Sequence, residues 1–184
     1  MKNQVNIRDI YGNLYIKESA EQKVDSIVNS LLTELSLSTI APPLSRKRNI
    51  PSKVIKKVEH NNLVTQRFIL SQYQNFSTSI ETAYEIIDTN IVNGKAKVFL
   101  MLDNLYMKAL CKVGIDPNFD EVNMEIIRQH ADDIIESIIN GLKEFCYESS
   151  NVPSDKESIE IGVNVIVAHA FVECTVLENP NAPL

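Results

Sequence analysis

A long run of apolar residues at helical spacing limits what this chain can fold into. Val122, Ile126, Ile127, Ala131, Ile134, Ile138, Leu142 and Phe145 recur mostly every three or four positions over residues 122–145. That spacing gathers them on one side of a helix but would scatter them over both faces of a strand. Asp132, Asp133, Glu136 and Glu144 fall mostly on the other, solvated side. A stripe of this length needs apolar partners along all of it. The spacing therefore predicts a spine helix, opened near Asp120 by a carboxylate cap and running to about Cys146, inside a helical body.

Comparable stripes flank it. Val24, Ile27, Val28, Leu31, Leu32 and Leu35 form one, which must end before Ala41-Pro42-Pro43 because consecutive prolines cannot continue the helical ladder. Ser52 stands where a cap is expected, and Val54, Val58, Phe68, Ile69, Tyr73, Phe76, Ile80, Ala83, Tyr84 and Ile87 follow at helical spacing. Asn61-Asn62 and Ser77-Thr78-Ser79 weaken that region, which reads either as one bent helix or as two in succession. Over residues 96–113, Val98, Leu102, Leu105, Tyr106, Ala109 and Val113 share a face, and Gly114 and Pro117 end it.

Ser154 and Glu157 have capping-box spacing, and Ile159, Val163, Ile166, Val167, Ala170, Phe171, Cys174 and Leu177 carry a last helix toward Pro180. The expected fold class is mostly α, an antiparallel bundle of about four to five helices over residues 18–180. In residues 1–17, Val5, Ile7, Leu14 and Ile16 alternate around Tyr11-Gly12-Asn13. This is the pattern of a small β-hairpin or extended arm, which either lies on the body or offers an edge to a partner. Residues 181–184 form a tail.

With 184 residues, 44% of them hydrophobic, the chain can bury a core without crosslinks. Its formal charge of −6 gives no general attraction to nucleic acid. Cys111, Cys146 and Cys174 are odd in number and far apart, so they suggest neither a disulfide framework nor paired metal ligands. Together with the lack of a cleavable hydrophobic leader, this points to a reducing, cytoplasmic setting. The longest apolar run is broken by Asn164, His169 and Glu173, too early for a membrane span of about 18 residues.

Few residues suggest catalysis. His60, His130 and His169 occur in no metal-binding spacing. His130 and Asp133 face each other across one helical turn, a pairing usual on solvated surfaces. Asp132, Asp133 and Glu136 are candidates for Mg²⁺, but one helical face offers neither converging ligands nor a dry pocket. His169 reads as a satisfied polar group at a helix contact. Gly94-Lys95 lacks the preceding loop and the following hydroxyl of a phosphate-binding loop. The cysteines sit at apolar positions, where a thiol acts as a small hydrophobe. No catalytic residue, cofactor or metal is expected.

One segment is strongly one-signed: Arg46, Lys47, Arg48, Lys53, Lys56 and Lys57 follow one another without an acid. Three uses remain open for it, namely a solvated connection, a face for an acidic protein, or a phosphate-contacting strip.

Several residues carry a family resemblance. They are Asn61-Asn62 followed by Arg67, the helical stretches around Tyr84 and Tyr106, and Ala170-Phe171-Val172-Glu173-Cys174-Thr175-Val176-Leu177-Glu178-Asn179-Pro180. Through them, residues 59–180 resemble the helical C-terminal domain of bacterial three-component ABC ATPase conflict systems, relatives of the Lamassu anti-phage systems. The family's last helix commonly reads Ala-Phe-x-x-Cys-x-x-x-Glu-Asn-Pro, which maps onto Ala170, Phe171, Cys174, Glu178, Asn179 and Pro180.

The resemblance implies a non-catalytic scaffold or accessory subunit that binds an ABC or SMC-like ATPase and couples it to an effector or middle subunit. Roughly fifty residues precede the matched region, too few for a nuclease domain, so the effector is expected on another polypeptide. Candidate partner-binding residues are Arg46, Lys47, Arg48, Lys53, Lys56, Lys57, Glu178 and Asn179. Nucleic acid would be met through the complex, self-association stays open, and no membrane is involved. The alternative is a small metal-dependent nuclease or nucleic-acid-binding protein that uses residues 46–57.

Overall fold

A computed structural model describes residues 23–37, 51–117, 123–173 and 175–180. The expected hairpin at 1–17, Arg46, Lys47, Arg48, Asp120, Cys174 and the tail at 181–184 lie outside the described residues. What is described is mostly helical and contains no strand. Among the described residues six helices pack together: α1 (Ile27–Leu37), α2 (Ser52–Asn61), α3 (Phe68–Asn90), α4 (Gly94–Lys112), α5 (Met124–Glu148) and α6 (Lys156–Val172). The count exceeds the expected four to five because the ambiguous region after Ser52 resolves into two helices.

The break between them has a local cause. Asn62 takes a left-handed conformation with φ 55°, which asparagine tolerates better than most residues and which closes a helix C-terminus. α5 then anchors the connection. The Asp132 carboxylate accepts the amides of Val64 (3.2 Å), Thr65 (3.1 Å) and Gln66 (2.8 Å), while Arg128 Nε donates to the His60 carbonyl at 2.7 Å. Asp132 is thus not simply a solvated acid, since it satisfies amides that no helix would.

The buried centre is α6 rather than the expected spine. Val165, Ile166, Val167, Ala168, His169, Ala170 and Phe171 are all buried, and a helix that is apolar on every side belongs inside the body. It packs chiefly on α3, with α5 and α1 on its other sides. α5 keeps its apolar face inward through Ile127, Ala131, Ile134, Ile138 and Leu142, but Phe145 is 40% exposed. Val24, expected in the first stripe, is 76% exposed and precedes α1.

Helix starts also differ from expectation by a residue or more. Asn123 caps α5 by accepting from the Glu125 and Ile126 amides. Asp155, not Ser154, caps α6 by accepting the Ser158 amide at 2.7 Å. Those hydrogen bonds from Ser158 hold the Asp155 carboxyl below its usual range. Ser52 is the first residue of α2 and follows Pro51, with no side-chain cap. Ser26 Oγ accepts from the Val28 amide at 3.1 Å at the start of α1. Asn29 Nδ2 ties α1 to α5 through the Cys146 carbonyl at 2.9 Å.

α1 and α6 approach closely at Gly162, where an added Cβ would collide with the Leu32 side chain. Gly162→Val is expected to destabilise the protein by about 1–3 kcal/mol through overpacking. Ile161→Val, at a neighbouring position 41% exposed, should change stability by less than about 0.5 kcal/mol. Urea unfolding midpoints of the two variants check this.

Candidate functional site

Two polar assemblies meet the end of α6. The first holds the C-terminal segment. On α2, Val54, Lys57 and Asn61 share the inward face, so one lysine of the basic segment is turned into the protein. Lys57 is 3% exposed. Its Nζ donates to the carbonyls of Phe171 (2.8 Å) and Val176 (2.9 Å) and lies 4.5 Å from the centre of the Phe171 ring. These contacts supply what a buried ammonium requires, namely acceptors for its protons and a polarisable face.

Asn61 completes the hold. Its Nδ2 donates to the Lys57 carbonyl (2.9 Å) and the Glu178 carbonyl (2.8 Å), and its Oδ1 accepts the Glu178 amide at 3.0 Å. Glu178 Oε1 accepts from the Tyr106 hydroxyl at 2.8 Å. Burial, followed by the charge and hydrogen bond of Glu178, pushes the Tyr106 phenol well above its usual range, so it remains a donor. The chain reverses at Leu177, φ 59°, and Val176 and Leu177 are buried beyond the helix. The last helix therefore ends at Val172 and does not run on toward Pro180.

Among the residues carrying the resemblance, Asn61, Phe171 and Glu178 come together in this clasp, and Ala170 is buried beside Phe171. Asn62 caps α2 and donates to the Arg128 carbonyl at 3.2 Å. Arg67 is exposed at the start of α3, and Asn179 and Pro180 are half-buried. Of the candidate partner-binding residues, Lys53 and Lys56 are exposed, whereas Lys57 and the Glu178 carboxylate are engaged internally. Lys57 is thereby corrected from a surface cation to a structural one.

The second assembly surrounds His169. This side chain is 0% exposed, and the rings of Tyr84 (5.3 Å), Tyr73 (5.6 Å) and Phe99 (5.6 Å) enclose it, centre to centre. Nε2 lies 3.5 Å from Glu81 Oε1, yet neither ring nitrogen has a hydrogen-bond partner, nor does the Tyr84 hydroxyl. The expected satisfied histidine is thus an unsatisfied one. Burial lowers its pKa, and Lys95 adds to that, while Glu81 and Glu173 oppose it. The net effect favours the neutral imidazole.

Glu81, His169 and Glu173 each bring a ligand-type atom within 4.8 Å of the others. Glu81 also pairs through Oε2 with Lys95 Nζ at 3.0 Å. The Lys95 ammonium lies over the rings of Tyr84 (5.1 Å) and Phe99 (5.7 Å). Tyr73 and Glu173 also line a neighbouring cleft of about 400 Å³ with Lys53, Val54 and Val172. Sequence reading noticed His169 but not its partners. The one local signal was the four-residue spacing of His169 and Glu173, since Glu81 and Lys95 arrive from other helices.

The acidic set Asp132, Asp133 and Glu136 does not converge. Asp132 binds the 64–66 amides, while Asp133, paired with His130 at 3.2 Å, and Glu136 both line a groove between α4 and α5. No helix among the described residues is long and apolar enough to cross a membrane. Compared with known proteins, the chain matches no family model, no curated protein and no solved structure.

Proposed function

We propose that this chain is a non-catalytic accessory subunit that attaches to an ABC or SMC-like ATPase and couples it to an effector or middle subunit in anti-phage defence. The observation that supports this reading is the clasp. Asn61, Phe171 and Glu178, distant in sequence and all part of the resemblance, are spent on hydrogen bonds and packing that hold the segment after α6 against α2. The polar groups of Lys57, Asn61, Tyr106 and Glu178 are satisfied among themselves and by the Phe171 and Val176 carbonyls, which suits a rigid mount better than proton transfer.

The outer side of α2 then lies over this mount. It carries Lys53, Lys56 and the 44% exposed Ile55, two cations around an apolar side chain, suited to an acidic protein surface. The cytoplasm is the compartment for such a complex. Glu178 contributes by holding the mount in place.

The test is co-purification with an ATPase encoded beside this gene, carried out with ATP, without nucleotide and with DNA. Joint Lys53→Glu and Lys56→Glu replacement is expected to reduce capture at least tenfold with an unchanged thermal midpoint. If the well-expressed wild-type pair fails to associate in all three conditions, the proposal is wrong. Cleavage of nucleic acid by the isolated protein with Mg²⁺ or Mn²⁺, lost on the same charge reversal, would instead support a small nuclease.

A further inference from the structure

We propose that Glu81, His169 and Glu173 bind a divalent transition-metal ion of the Zn²⁺ class, at a site where α3 meets the end of α6. The inference is independent of the docking reading. Its starting point is the imidazole: His169 is 0% exposed, and both ring nitrogens lack hydrogen-bond partners. Leaving a buried polar group unpaired is costly, so a buried side chain with two such atoms in a folded core calls for a partner.

The neighbouring carboxylates supply the right geometry. Zn²⁺ sits about 2.0 Å from imidazole nitrogen and carboxylate oxygen, so two tetrahedral ligands lie roughly 3.3 Å apart. His169 Nε2 and Glu81 Oε1 are 3.5 Å apart. Glu173 offers a third oxygen within the same 4.8 Å group, and it is exposed at the α6 C-cap, where its side chain is able to close the remaining gap. One imidazole and two carboxylates leave a fourth position for water, as in open zinc sites.

The charges are compatible. Glu81 divides its oxygens, with Oε2 on Lys95 at 3.0 Å and Oε1 toward His169. Two carboxylates and one ammonium give a net charge of about −1 before a divalent ion enters, which suits a cation of this class. Lys95 already lies over the rings of Tyr84 and Phe99, which disfavours an organic cation in the same aromatic chamber. A metal ion needs less room, and Glu173, which would ligate it, also lines the neighbouring cleft with Tyr73.

The test is calorimetric titration of the chelator-treated full chain with Zn²⁺, together with Co²⁺ absorption spectroscopy. One ion per chain and visible bands of a four-coordinate Co²⁺ site are expected. Glu173→Gln alters an exposed side chain and should retain the fold while weakening binding by about tenfold or more. His169→Gln should abolish binding, and circular dichroism checks that it remains helical. Lys95→Met frees the second Glu81 oxygen and should strengthen binding severalfold. Failure of the wild type to bind Zn²⁺ saturably overturns the proposal. So does a Zn²⁺ affinity that is unchanged in Glu173→Gln, because such binding lies elsewhere on the chain.

Discussion

Lys57→Ala is expected to lose about 3 kcal/mol of stability, an unusually large effect for a lysine, since surface replacements typically stay within about 0.5 kcal/mol. The ammonium donates to the Phe171 and Val176 carbonyls at 2.8 and 2.9 Å. Burying it costs several kcal/mol of hydration, which those two charge-assisted hydrogen bonds and the Phe171 ring face offset. Once the ammonium is gone, the desolvation cost goes too, but buried carbonyls lose their donor at about 1–3 kcal/mol each. The lysine stem also leaves a gap.

Lys57→Met separates these contributions. It restores the stem but not the donors, and should recover about 1 kcal/mol of the loss. Urea denaturation of the two variants measures the difference. If Lys57→Met matched the parent, the ammonium would not be holding the C-terminal segment. Combining Lys57→Ala with Asn61→Ala should give a total loss below the sum of the single losses, by about 0.5–3 kcal/mol, because the two residues secure the same segment.

Phe171→Ala is expected to cost about 4 kcal/mol. The ring is 0% exposed, and removing a buried phenylalanine costs about 3–5 kcal/mol in transfer and cavity terms. Lys57 also loses the ring face 4.5 Å from its Nζ, a contact worth about 0.5–2 kcal/mol. For a chain of this size the thermal midpoint should fall by about 8–16 °C, read by circular dichroism. A fall of under about 3 °C would mean that the ring does not fill the core as described. Because Phe171 bears on both the clasp and the core, the expected loss is as large as that at Lys57 or larger.

Much of the helical body is legible from spacing. The stripes of α4 and α5 appear almost intact, because one-sided amphipathic helices write their buried face into the sequence at three and four residues. Caps are less well resolved: Asp155 and Asn123 take positions expected for Ser154 and Asp120, since neighbouring polar residues compete for the same amides. The central place of α6 was readable from its near-continuous apolar run, but regular stripe counting favoured the longer α5.

The candidate sites were less legible. Lys57 lies in a run of cations and looks like its neighbours, and only the direction of α2 against α6 separates it from Lys53 and Lys56. His169 stands out as a histidine among apolar residues, but its lack of partners depends on which groups α3 and α4 bring around it. Asp132 and Asp133 illustrate the converse, since neighbours in sequence go to different surroundings, Asp132 to the 64–66 amides and Asp133 to the groove that Glu136 also lines.

By itself, the sequence determined that the chain is helical, where most helices lie and which faces are apolar, because backbone propensity and side-chain periodicity are local properties. Only the tertiary structure decided that Lys57 is internal, that Glu178 is held by Asn61 and Tyr106, and that His169 sits among Glu81, Glu173 and aromatic rings. Each of those outcomes depends on how whole helices cross. The solvation of a charge or an imidazole is settled by groups far away along the chain, and residue spacing carries no record of them.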